Sequence, residues 1–100
     1  MELSIGDLNS QQVRSEIGDN LRRLRLEKQL SQQQLARRSG VQQFMVSRVE
    51  SGSRWLDLPL LIMLAYGLGE PVAALMPRWV ERLLGVPLEA LRGAAGRPRA

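Results

Sequence analysis

Residues 31–52 of the chain, SQQQLARRSGVQQFMVSRVESG, carry the sharpest structural signal in the sequence. Ser31 followed three residues later by Gln34 forms a capping box, in which the serine hydroxyl and the glutamine side chain each satisfy a backbone N–H group at a helix start. The pattern therefore predicts that a helix begins at Gln32.

The same stretch predicts that this helix is short and that another helix follows after a tight turn. Gly40 marks the end of the first of the two, because glycine adopts the left-handed backbone conformation without a Cβ penalty. The next helix is predicted over residues 42–51, and Gly52 is its natural stop.

One face of the helix predicted over residues 42–51 is chemically unusual. At 100° per residue, Met45, Val46 and Val49 lie on the side that can face a core. The other side combines four kinds of group that suit DNA bases. The amide can form hydrogen bonds with adenine, the aromatic ring can contact a thymine methyl group, and the guanidinium can form two hydrogen bonds with guanine. The hydroxyl can contact a base or a phosphate. An ordinary solvated face is the alternative, but it leaves an exposed aromatic ring unexplained. The residues on this side are Gln43, Phe44, Ser47 and Arg48.

Helical spacing continues on both sides of this stretch, and strand-like alternation is absent. Apolar residues at Ile17, Leu21 and Leu24 predict a first helix over about residues 15–28, with Ser10 as its earliest start. Asp57 is a good cap for a fourth helix that runs to about residue 66. A short fifth helix is predicted over residues 71–76, between two prolines, and further helical segments follow at 78–84 and 87–91. The fold class is therefore predicted to be all-α.

The composition excludes most catalytic chemistry. The chain has 100 residues, 44% of them hydrophobic, which suits one compact domain. It contains no cysteine and no histidine, so thiolate metal sites, imidazole bases and Ser-His or Cys-His pairs are excluded. We therefore expect no enzyme activity, no cofactor and no metal. The sequence shows neither a transmembrane run nor a signal sequence, which predicts a cytoplasmic, nucleoid-associated protein without membrane contact.

The positive charge is concentrated in the central third of the chain. The net charge is +4, yet residues 21–54 hold eight cationic side chains against two carboxylates, which makes that segment +6 and the remainder −2. Clustered basic residues release counterions when they meet phosphates, so this distribution favours a nucleic-acid partner. Charge alone would suit a solvated basic face equally well.

Residues 32–52 closely resemble the helix-turn-helix of the Cro and phage-repressor-like (xenobiotic-response-element type) DNA-binding family. The resemblance lies in the pattern Gln-x-x-Leu-Ala-x-x-x-Gly-Val with a later Arg-Val-Glu-x-Gly, and it extends over about residues 17–75. It implies a five-helix repressor-like domain with a short helical C-terminal extension. We place this domain at residues 14–76, after an N-terminal arm (1–13) and before the extension (77–92) and a disordered tail (93–100).

The resemblance also implies roles for individual residues. Arg25 and Glu50 match a frequently paired arginine and glutamate, which favours a structural ion pair over a phosphate contact. Gln42 is a poor helix cap, so DNA could satisfy the N–H groups beside it. Trp55 falls where the family contacts phosphate or the other subunit, and both roles stay open. The positions matched to base reading are Gln42, Gln43, Phe44, Ser47 and Arg48, and those expected to contact phosphate are Gln32, Arg37, Arg38 and Arg54.

The C-terminal extension supplies the predicted dimer interface. A two-fold dimer would double the DNA contact and match a palindromic operator whose half-sites are centred about 10–10.5 bp apart. The extension has more apolar side chains than a soluble monomer usually leaves in water. Folding back onto the domain is the alternative, since both arrangements need the same residue types. The residues concerned are Trp79, Val80, Leu83, Leu84, Leu88 and Leu91.

The leading functional hypothesis is a transcriptional repressor or autoregulator of bacterial or phage type that binds double-stranded DNA as a homodimer. The alternative is an antitoxin, in which the same domain binds a toxin protein and DNA binding only autoregulates the pair. A third class, a DNA-independent scaffold, would require the basic face to have no function. Because the sequence contains no ligand-binding domain, control by concentration or by a protein partner such as a toxin or antirepressor is expected.

Overall fold

A computed structural model of the chain describes residues 10–85, apart from the side chains of Leu83 and Leu84. This part of the chain is helical and contains no strand, which confirms the predicted all-α class. The helices are α1 (Gln11–Glu27), α2 (Gln32–Ser39), α3 (Gln43–Glu50), α4 (Leu58–Leu68) and a one-turn α5 (Glu81–Leu84), with 3-10 turns at Val72–Leu75 and Arg78–Val80.

The helix starts follow the capping residues. Ser31 and Gln34 form both bonds of the capping box, which confirms the predicted start of α2. Asp57 caps α4 by accepting a 2.9 Å hydrogen bond from the Leu60 N–H group. Ser10 likewise caps α1, so this helix begins at the earliest start considered rather than near residue 15.

Two predicted helix boundaries differ from the structure. The predicted fifth helix is a single 3-10 turn, Val72–Leu75, which ends because Met76, the residue before Pro77, takes the extended conformation that a following proline favours. A count of five domain helices is not confirmed. The fourth helix continues past residue 66 to Leu68, and Gly69 ends it with a φ of 71°.

The core lies between α1 and the compact unit formed by α2, α3 and α4. Glycine lets two pairs of helices approach closely. Gly18 of α1 lies against the backbone carbonyls of Val49 and Glu50 at the end of α3, and Gly67 of α4 lies against Ser39 of α2. The fully buried side chains are Leu21, Leu24, Leu35, Val46, Val49, Leu64, Leu68 and Leu75.

Two side chains of α1 form hydrogen bonds with the segment at the end of the first 3-10 turn, Val72–Leu75, and beyond it. The Asn20 amide donates to the Leu75 carbonyl at 3.0 Å and to the Met76 carbonyl at 3.3 Å. The Glu16 carboxylate accepts a 3.2 Å hydrogen bond from the Trp79 indole, whose ring packs against the core. Within the described residues, none of the helices is both long and apolar enough to span a membrane. Residues 1–9 of the predicted arm (1–13) and the whole predicted tail (93–100) lie outside the described residues, and residues 11–13 belong to α1.

Candidate nucleic-acid interface

The helix predicted over residues 42–51 is α3, here called the recognition helix, and its two sides differ as the helical projection indicates. Val46 and Val49 are buried in the core, and Met45 is half-buried. The other side is open to solvent and displays every residue predicted to read bases. These exposed residues are Gln42, Gln43, Phe44, Ser47 and Arg48.

Phe44 and Arg48 form a cation–π pair on this exposed side. The Arg48 guanidinium carbon lies 4.9 Å from the centre of the Phe44 ring, within the range of a cation–π interaction. Among the described residues, no carboxylate forms an ion pair with Arg48. The guanidinium donors therefore remain available to a ligand outside the protein.

The start of α3 lacks a side-chain cap. Gln42 has the extended backbone of an N-cap residue, but its side chain accepts no hydrogen bond from the first turn. The structure thus confirms that glutamine is a poor cap at this position. The open N–H groups and the positive end of the helix dipole make this terminus suited to an anion such as phosphate.

A buried ion pair fixes α3 to the other two helices of the interface. The Glu50 carboxylate accepts hydrogen bonds from Arg25 at 2.6 Å and 3.0 Å, and the two side chains are only 10% and 6% exposed. Arg25 also donates to the Leu30 carbonyl at 2.8 Å, and Gln32 donates to the same carboxylate at 3.1 Å. The cluster Arg25–Glu50–Gln32, here called the clamp, thus joins α1, α3 and α2.

The residues expected to contact phosphate occupy three different environments. Arg37 and Arg38 are exposed in the last turn of α2. Gln32 is half-buried in the clamp, and because an amide nitrogen has two hydrogens, one donor remains after its bond to Glu50. Arg54 follows α3 with its Nε atom buried and without a hydrogen-bond partner among the described residues. A buried unsatisfied donor is rare, and an anion at Arg54 would satisfy it.

Two residues that support the loop after α3 could not be predicted from the sequence. The carbonyl of Gly52 accepts hydrogen bonds from Gln11 at 3.1 Å and from Arg14 at 3.2 Å. The Arg14 guanidinium also lies 5.6 Å from the centre of the Trp55 ring. No sequence signal indicates these contacts, since they join residues about forty positions apart and lie in a turn of α1 that the periodicity does not include.

An exposed apolar face on α4 is a further feature that the sequence patterns did not predict. Leu58, Ile62 and Tyr66 follow one another at four-residue spacing, here called the α4 outer face, and each is at least half exposed, as is Trp55 just before the helix. A signal for this face exists in the sequence. The segment LPLLIMLAYGL is apolar all round, whereas a surface helix of a small domain normally has a polar side.

The predicted dimer residues are only partly within the described chain. Trp79 packs against its own domain and, like Val80, is half-buried. The side chains of Leu83 and Leu84, and all of Leu88 and Leu91, lie outside what the structure describes. For Trp79 the observed contacts are therefore those of the folded-back alternative.

Several solved structures resemble this chain, whereas no curated protein matches its sequence. The restriction-modification controller protein C.AhdI from Aeromonas hydrophila is 36% identical with a TM-score of 0.61, over 63% of this chain and 96% of that chain. A hypothetical transcription factor, NHTF from Neisseria, is 30% identical with a TM-score of 0.64, over 86% of this chain and 94% of that one. The clp gene regulator ClgR from Corynebacterium glutamicum is 27% identical with a TM-score of 0.59, over 81% and 83%.

A family model described as helix-turn-helix matches residues 21–75, which is more than half of the chain. The matched segment contains α2, α3 and the turn between them, together with the clamp residues. The chain therefore belongs to the Cro/C1-type helix-turn-helix family of DNA-binding transcription regulators.

Proposed function

We propose that this protein is a sequence-specific transcriptional regulator, a repressor or autoregulator, that binds a palindromic operator in the DNA major groove as a homodimer. The observation that carries the proposal is the exposed side of α3, where amide, aromatic, hydroxyl and guanidinium groups stand together on a helix that the clamp holds in place. Such a face contains the donors, acceptors and apolar surface that base edges require. Double-stranded DNA in the cytoplasm, at the nucleoid, is the proposed partner, and no cofactor is needed.

The regulatory role is supported by what the similar structures are named for. A restriction-modification controller and a clp gene regulator both share more than a quarter of their aligned residues with this chain. The charge distribution supports the same role, because six net positive charges lie within residues 21–54. Phosphate contacts at α2 and Arg54 would position the protein, and base contacts at α3 would supply specificity.

The homodimer is proposed to form through the α4 outer face and Trp55. These large apolar side chains are all at least half exposed, and an exposed apolar patch on a soluble protein is typical of an interaction surface. A second copy can cover the patch with the same patch, as a two-fold interface requires. Trp55 follows the recognition helix by a few residues, so contact here keeps the two recognition helices close to the symmetry axis, as binding to half-sites about 10–10.5 bp apart requires.

Arg48→Ala is expected to weaken binding to the operator by about 1–3 kcal/mol and to relax the preference for one guanine in each half-site, because the substitution removes a bidentate contact. Binding to random DNA should change little. Titration of operator variants, with selection from random duplexes to define the operator, measures both effects. Equal weakening on all sequences would make Arg48 a phosphate contact and would contradict its role in base reading.

Arg38→Ala should weaken binding to all DNA sequences alike, since the exposed arginine is proposed to meet the backbone. The slope of log affinity against log salt should fall in magnitude by about 0.9 for each phosphate that the protein no longer neutralises. The same result is expected for Arg37→Ala. Arg82→Ala is the matched control, because Arg82 is also an exposed arginine but lies outside the matched helix-turn-helix segment. If neither Arg37→Ala nor Arg38→Ala changes the slope of log affinity against log salt, α2 does not contact the DNA backbone.

Ile62→Glu should convert the dimer to a monomer and reduce operator affinity at least about tenfold, because the charge would be buried unpaired at the centre of the α4 outer face. Sedimentation measures the oligomeric state. Leu26→Glu, at a similarly exposed leucine on α1, is the control and should remain dimeric. A chain ending at Gly85 lacks Leu88 and Leu91 and should also remain dimeric. If this truncation alone gives a monomer, the interface lies in the C-terminal extension.

A further inference from the structure

We propose that Phe44 and Arg48 act as one reading unit, which recognises a guanine together with the C5-methyl group of a pyrimidine in the neighbouring base pair. Either thymine or 5-methylcytosine would supply that methyl group. Where cytosine stands at this position, the operator affinity of this protein would therefore depend on its C5 methylation. This inference rests on the proposed binding of α3 in the major groove and adds to it a defined ligand chemistry.

The two side chains of the reading unit are already organised together before DNA is present. They lie four residues apart on the exposed side of α3, with the guanidinium 4.9 Å from the centre of the ring. Arg48 has no competing carboxylate among the described residues, and Phe44, at 44% exposure, is the single aromatic residue of α3. The interaction that orients Arg48 is thus its contact with the ring.

The position of the ring follows from the way in which Arg48 binds guanine. A guanidinium that forks onto O6 and N7 lies close to the plane of that base. A ring that faces this guanidinium lies above or below the same plane, and the centre of the Phe44 ring is at most 4.9 Å from it, which is less than two base-pair steps. Successive base pairs are separated by about 3.4 Å along the helix axis. The Phe44 ring is therefore level with the base pair next to the guanine.

The chemistry of the ring limits what it can detect in that base pair. Phe44 neither donates nor accepts a conventional hydrogen bond, so it cannot distinguish the exocyclic amino group of cytosine from the carbonyl oxygen of thymine. The apolar group that base pairs present in the major groove is the methyl group on C5 of thymine. Methylation of cytosine at C5 places the same methyl group at the same ring position. The reading unit therefore senses the methyl group and not the identity of the pyrimidine.

The experiment compares four operator duplexes that differ at one base pair. The operator is selected from random duplexes. Its critical guanine is at the position where Arg48→Ala no longer prefers guanine over the other bases. The neighbouring pyrimidine is then made thymine, deoxyuridine, cytosine or 5-methylcytosine, each with its Watson–Crick partner. The thymine-to-deoxyuridine and 5-methylcytosine-to-cytosine changes each remove one methyl group, and each should weaken binding about fourfold per half-site.

Variants assign the effect to the ring. In Phe44→Ala both affinity ratios should fall to one, while Leu26→Ala, which removes another exposed apolar side chain, should retain them. The comparison of thymine with deoxyuridine uses the unaltered protein, so it does not depend on the stability of any variant.

The outcomes separate this inference from the function on which it rests. If selection yields no preferred sequence, the proposed sequence-specific function fails. If a preferred operator is found but both methyl ratios equal one on either side of the guanine, the function stands and the reading unit is overturned. Ratios that persist in Phe44→Ala would assign the methyl group to another side chain and would equally overturn it.

Discussion

Glu50→Ala is expected to lower the free energy of unfolding by about 3–5 kcal/mol, because it strands a buried arginine without its charge partner. Arg25 and Glu50 are joined by two hydrogen bonds of 2.6 Å and 3.0 Å in a site where both side chains are at least nine-tenths buried. Glu50 also accepts from Gln32, so the substitution removes this hydrogen bond between α2 and α3 as well. A decrease of this size is a large fraction of the stability of a small domain.

Thermal melting measures this effect, with an expected decrease in Tm of at least about 12 °C. The matched control is Glu27→Ala, which breaks the ion pair with Arg23, where both side chains are about half exposed. Exposed pairs contribute about 0–1 kcal/mol, so the control should melt close to wild type. Replacing Arg25 and Glu50 together with methionine should recover most of the stability, because no unpaired charge then remains. A Tm of Glu50→Ala within two degrees of wild type would mean that the clamp does not stabilise the fold.

Gly18→Ala is expected to destabilise the protein by about 3 kcal/mol, although the same change stabilises an ordinary helix interior by about 1 kcal/mol. A Cβ atom at Gly18 would come closer than 3.0 Å to the backbone carbonyl oxygens of Val49 and Glu50. Backbone atoms cannot rotate away as a side chain can, so α1 and α3 must separate. The expected sign is therefore opposite to that of helix propensity.

Denaturant titration gives the free energy change for this variant. Asp19→Ala, at the next residue of α1 and exposed to solvent, is the control and should be neutral or slightly stabilising. Because the clash lies at the end of α3, operator binding by Gly18→Ala should also weaken under conditions where the protein remains folded. If Gly18→Ala is as stable as wild type, α1 and α3 can shift to accommodate the Cβ atom without loss of stability, which would contradict the prediction.

The helix-turn-helix and its exposed face could be predicted because their signals are local. The capping box at Ser31, the left-handed Gly40 and the projection of eight residues of α3 each depend on neighbours within a turn or two of the chain. The contact between Arg25 and Glu50 is not local, and it followed from the resemblance to a family rather than from any spacing in the sequence.

The features that the sequence did not predict depend on tertiary packing. The segment LPLLIMLAYGL is apolar on every side, so its periodicity gave no direction, and which residues remain exposed is decided by α2 covering the other side. Trp79 suited a dimer interface and a folded-back segment equally, because both need an apolar side chain. The support of the Gly52 turn by Gln11 and Arg14 follows only from where α1 lies in the fold.

The bonds from α1 to the end of the domain have a consequence for how long the protein survives in a cell. Asn20 and Glu16 bond to partners that are 55 to 63 positions away in the sequence, and these three hydrogen bonds, together with the packing of Met76 and Trp79, attach the end of the domain to the core. Residues 76–80 are therefore the part of the described chain that we expect to detach first, while α2, α3 and α4 remain folded. Detachment would release Trp79 from the core and present a short extended segment to proteases. The turnover of this regulator would then follow the strength of this small attachment rather than the stability of its DNA-binding core.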